Sequence, residues 1–124
     1  MSAENEVEQP QAILVILIIP SHRKNEEEIS EKAREKWRRD AQILFAELFG
    51  GSTAFEAVQG SFWSSEQEKV LWDFPIVIEA YVSLPDEQRN AAFEVLRDFA
   101  SKMRAKLDQE EVMLVIDNYT YFLK

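Results

Sequence analysis

Ala12-Ile-Leu-Val-Ile-Leu-Ile-Ile-Pro20 is an unbroken apolar run that stops at a proline. A strand with one wet face alternates apolar and polar residues, whereas this segment is apolar on both parities. It therefore reads as the central strand of a sheet, covered from both sides. The chain's own helices can supply one cover, and the other has to be found. The run is too short to span a bilayer.

Downstream, Ser21-His22-Arg23-Lys24-Asn25 is a polar loop, and Asn25 followed by Glu28 predicts a helix N-cap with its capping-box partner. The apolar positions Ile29, Ala33, Trp37, Ala41, Leu44 and Leu48 recur at helical spacing. Glu26 to Glu28 lie at the positive end of the dipole, and Gly50-Gly51 forms the stop. A second strand is expected over 52–63, with a bulge at Gly60, then a hairpin loop over Ser64 to Glu68.

The third strand is expected over 70–82. One parity carries Val70, Trp72, Phe74, Ile76, Ile78, Ala80 and Val82, and should face the helices; the other carries Asp73, Val77, Glu79 and Tyr81. Pro75 lacks a ladder donor and demands a bulge or two shorter strands. Ser83-Leu84-Pro85-Asp86 predicts a second helix, capped by the serine and running to about Leu107 on the stripe Ala92, Phe93, Leu96, Phe99, Ala100, Met103. Val112 to Ile116 is a last strand, which Tyr119, Tyr121 and Phe122 prolong or follow as an aromatic tail.

Strand, helix, strand, strand, helix, strand is the βαββαβ order of ferredoxin-like α+β sandwiches. Right-handed crossovers then give an antiparallel four-stranded sheet in the order 4-1-3-2, with both helices on one face. The expected organisation is an acidic disordered tail over 1–11 and a single domain over 12–124. In that topology the His22 loop, the Ser64 to Glu68 hairpin and the Asp108 to Glu110 turn share one end of the sheet. The opposite face carries one parity of the central strand with Val77, Glu79 and Tyr81. A monomer would leave that face wet, so a homodimer is expected, through the open face or through the last strand.

Composition narrows the chemistry. The 124 residues are 46% hydrophobic and 30% charged, as in an ordinary globular protein. No cysteine is present, which excludes disulfides, thiolate metal sites and cysteine nucleophiles. The formal charge of −9 opposes nucleic-acid binding, which relies on cations that displace counterions. The Lys32, Arg34, Lys36, Arg38, Arg39 cluster does not change this, because Glu31 and Glu35 interleave it and no aromatic platform accompanies it. The acidic start does not look like a signal peptide, and a cytoplasmic protein without membrane contact is expected.

His22 is the only histidine; beside Arg23 and Lys24 it could serve an anion site or act as a general base, and its plainer reading is a solvated loop. Asp73 and Glu79 share a parity, but about 20 Å of strand separates them, so they cannot chelate one ion. Glu79 and Tyr81 are retained for a polar pocket or interface. Leu48-Phe49-Gly50-Gly51-Ser52-Thr53 is not a phosphate loop, since it lacks the lysine and runs from helix to strand. Trp37 and Trp72 are expected in the core, and Trp63, next to the hairpin, is a candidate for ligand contact.

Phe45 to Trp63, with Phe-Gly-Gly-Ser-Thr and a later Gly-x-x-Trp, resembles small stand-alone prokaryotic ferredoxin-like proteins of unknown function. The resemblance covers the middle third of the chain and implies no reaction, cofactor or catalytic residue. The expectation is a non-catalytic binding or interaction protein, with His22, Glu79, Tyr81 and Trp63 as ligand-binding candidates and no cofactor or metal. One alternative is a small enzyme or ligand-binding protein whose pocket uses the open sheet face. Another is an acidic decoy for a basic protein.

Overall fold

The computed structural model describes the backbone of residues 12–120 and the side chains through 117. The expected acidic tail over 1–11 lies outside the described residues, as do Tyr121, Phe122 and the side chain of Tyr119. The elements are β1 (Ala12–Ile19), α1 (Glu31–Phe49), β2 (Thr53–Glu56), β3 (Gly60–Ser64), β4 (Lys69–Asp73), β5 (Ile76–Val82), α2 (Asp86–Lys106) and β6 (Leu114–Thr120). They build a mixed α+β architecture: a four-stranded antiparallel sheet in the order β2-β5-β1-β6, a separate two-stranded β3-β4 sheet, and two helices.

The two parities of β1 part company as a pleated strand requires. Ile13, Val15, Leu17 and Ile19 are buried, while Leu14, Ile16 and Ile18 are half-buried on the other face. On β5 the buried set is Ile76, Ile78, Ala80 and Val82. These two rows meet Ala41 and Phe45 of α1 and Phe93, Leu96, Ala100 and Met103 of α2 in one core. Trp37 packs edge-on against Phe99 at 5.4 Å, joining the two helices. The other face of the sheet presents Leu14, Ile16, Ile18, Val77 and Glu79 half-buried, with Phe55 and Tyr81 exposed.

Helix α1 starts later than its capping signal suggested. Asn25 Oδ1 accepts from Glu27 N–H at 3.0 Å, closing a turn of its own, and Glu26 has φ 71, which no right-handed helix tolerates. The loop folds back through a His22–Glu28 bridge and buries Ile29 before Ser30 caps the helix, accepting from Ala33 N–H at 3.1 Å. Gly50, at φ 91, ends it in the left-handed conformation. Helix α2 likewise begins beyond its expected serine cap: Pro85 stands at the N-cap with no side-chain cap bond, and Asp86 and Glu87 occupy the first turn.

The expected second and third strands are each divided. Ala57 to Gln59 separate β2 from β3, and Phe74-Pro75 separate β4 from β5, so the inner halves join the main sheet and the outer halves pair with each other as a ribbon. This break corrects the placement of Trp72 in the core. The strand parity does not continue through Pro75, and Val70, Trp72 and Phe74 are exposed, with Trp72 at 59%.

Candidate functional site

Three loops meet at one end of the sheet, tied by bonds between residues distant in sequence. Lys24 N–H donates to the Asp108 carbonyl at 2.9 Å, Gln109 Nε2 donates to the His22 carbonyl at 2.7 Å, and the Ser64 hydroxyl donates to Glu110 Oε1 at 2.8 Å. Lys69 of the ribbon and Glu26 of the loop after β1 form an ion pair at 2.6 Å. Between the ribbon and the main sheet these tethers leave a cleft of about 570 Å³. That volume lies within the range of small-molecule sites.

The alternation of the two ribbon strands supplies one wall, with Phe62 and Leu71 as a cross-strand pair. Ile18, Pro20 and Met113 supply the other. Arg23, Lys24, Glu26 and Glu110 add charged groups to the lining. Asp73 lies at the margin, cross-strand from Gly60. Burial pushes the Asp73 carboxyl above its ordinary range, against the opposing pull of His22, the Ser21 amide and Arg34. None of the ion pairs among the described residues includes Asp73.

His22 lies on the same margin, its ring edge-on to Phe74 at 5.3 Å. Ser21, His22 and Asp73 do not form a hydrolytic triad. The Ser21 hydroxyl is wholly buried and is taken up by Phe74 N–H at 2.9 Å and His22 Nδ1 at 2.7 Å, so it faces no substrate. Among the described residues no group of three or more His, Cys, Asp or Glu is placed to hold a metal ion. No helix among them is long and apolar enough to cross a membrane.

The four sequence candidates separate. His22 lines the cleft. Glu79 and Tyr81 line a shallow depression of about 340 Å³ near Gly50-Gly51, on a different part of the molecule. Trp63 is 59% exposed and does not line the cleft. Phe62, Leu71 and Gln109 were not among the sequence candidates, and Asp73, too far along the strand from Glu79 to share an ion with it, was not retained. The signal that could have found it was Pro75, which ends the ladder two residues later.

The sequence matches no protein-family description and no curated protein. In three dimensions it is similar to a phage SAM lyase solved in complex with S-methyl-5'-thioadenosine. The TM-score is 0.66 at 9% sequence identity, over 90% of this chain and 84% of that chain. Identity at this level shows a shared fold.

Proposed function

We propose that this chain is a binding protein that takes a small organic molecule in the ribbon cleft and works as a cytoplasmic homodimer through its open sheet face. The observation that carries the reading is the cleft itself: apolar walls from Phe62, Leu71 and Ile18 with a half-buried carboxylate on their margin. Self-association is supported by the row Leu14, Ile16, Ile18 and Val77, apolar side chains on a sheet face opposite the helices. The strand order of the main sheet supports a ferredoxin-like core, with β3-β4 as a ribbon inserted between two of its strands.

S-methyl-5'-thioadenosine, carried by the phage lyase, joins an amine-bearing aromatic ring through a ribose to a methyl thioether, and its aromatic and thioether ends are the parts that apolar walls could cover. Ligand-observed NMR tests the reading with S-methyl-5'-thioadenosine and a panel of uncharged aromatic fragments. Binding that Phe62→Asp abolishes is expected. An absence of binding, or binding indifferent to that change, would overturn the reading.

A second reading, a small lyase, is favoured by one further observation: Asp73, whose carboxyl burial pushes above its ordinary value, lines the same cleft as the His22 imidazole, a pairing able to move a proton. Incubation with SAM decides between the two. Loss of SAM that Asp73→Asn prevents supports the enzyme, and an unchanged SAM pool with retained binding leaves the non-catalytic reading.

A further inference from the structure

The cleft margin holds a hydrogen-bonding pair whose direction is fixed from inside the protein. Ser21 Oγ has two described polar neighbours, Phe74 N–H and His22 Nδ1. A backbone N–H can only donate, so Oγ is the acceptor in the first contact. Its own proton must then go to Nδ1, because a fully buried hydroxyl left without an acceptor forfeits its hydration with nothing in return. Nδ1 is thereby made the acceptor, and the neutral ring carries its proton on Nε2.

Nε2 has no hydrogen-bond partner among the described residues, and the ring borders the cleft. Asp73 lines the same cleft, and it directly precedes Phe74, whose N–H binds Ser21 Oγ and whose ring meets that of His22 at 5.3 Å. A carboxylate can only accept, with several lone pairs to offer. A donor and an acceptor therefore stand together in the lining of one cleft.

On the reading of this cleft as a ligand seat, we propose that it takes an amino-substituted nitrogen heteroaromatic. His22 Nε2–H donates to the ring nitrogen, Asp73 accepts from the neighbouring amino group, and Phe62 and Leu71 cover the ring. Ser21 is a positioning residue that acts through the tautomer of His22.

Nitrogen NMR of the full chain tests the first step without any substitution, since His22 is the only histidine and its ring signals are unambiguous. The Nε2–H tautomer is expected, turning into a mixture in Ser21→Ala; an Nδ1–H tautomer in the unsubstituted protein would overturn the proposal. The second step uses three rings of one shape at a pH where all are neutral: 2-aminoquinoline, 3-aminoquinoline and quinoline. The first should bind about tenfold tighter than the others, a difference of about 1.4 kcal/mol. Equal binding of all three, lost in Phe62→Asp, would overturn the donor–acceptor pair and leave the cleft as an apolar seat. Binding of none would overturn both.

Discussion

Gly60 and Asp73 are cross-strand partners at the open end of the β3-β4 ribbon, and the Asp73 carboxylate fills the space that a side chain on Gly60 would occupy. A Cβ built on Gly60 would lie 2.5 Å from Asp73 Oδ1 and 3.4 Å from Pro75 Cδ. The obstructing atom is the end of a side chain, so it can swing away. Gly60→Ala should therefore leave stability within about 1 kcal/mol of the unsubstituted chain. The carboxylate would leave its place, and affinity for a cleft ligand should fall by about tenfold, as read by titration of both proteins.

Asp73 also sets a pH dependence. Its folded-state carboxyl titrates above the ordinary value because burial penalises the anion. The folded chain thus holds this proton to higher pH than the unfolded chain, and the contribution to stability is lost as pH rises from the ordinary carboxylate value through the raised one. Asp73→Asn removes the buried charge. Thermal unfolding should show the variant more stable than the parent at neutral pH, with the difference vanishing in acid below the ordinary carboxylate range.

Ser64 is wholly buried at the other end of the ribbon, donating to Glu110 and accepting from Gln67 N–H at 3.1 Å. Ser64→Ala strands both partners and should cost about 1–2 kcal/mol. Hydrogen exchange should show faster opening confined to residues 60–73, with the main sheet unchanged.

Ile16 sits at the middle of the open sheet face, opposite Glu79 on one side and Val115 on the other. Ile16→Glu places a second carboxylate beside Glu79 and should turn the proposed dimer into a monomer in light scattering at high protein concentration. A parent protein that is already monomeric under those conditions would refute self-association. Leu17, on the buried parity, is the contrasting position: Leu17→Ala should lower stability by about 3 kcal/mol, as measured by urea unfolding.

The core was legible because it rests on periodicity. The alternate residues of β1 and β5 are buried as their spacing demands, and the helical stripes found Ala41, Leu96, Ala100 and Met103. Phe45, absent from the expected stripe, is wholly buried beside Ala41, one helical turn away. The start of α1 was misread because an asparagine can cap either a helix or its own turn, and the choice depends on burying Ile29, a tertiary event. Trp72 was misplaced for a related reason. Parity carries information only along an unbroken ladder, and at Phe74-Pro75 the ladder stops. The candidate site was least legible: His22 was visible as the only histidine, in a loop, but its relation to Asp73 arises from the ribbon's return across the sheet end.

Pro75 has one more consequence. By withholding a single N–H it leaves the ribbon outside the main hydrogen-bonded ladder, and a two-stranded sheet alone is close to its melting point in water. The cleft is thus a seam between a part of the molecule that owes its shape to the core and a part that owes its shape to a few tethers, Ser64 to Glu110 and Lys69 to Glu26 among them. Whatever fills that seam lends the ribbon the apolar contact it lacks, so occupancy and ribbon order become two readings of one equilibrium.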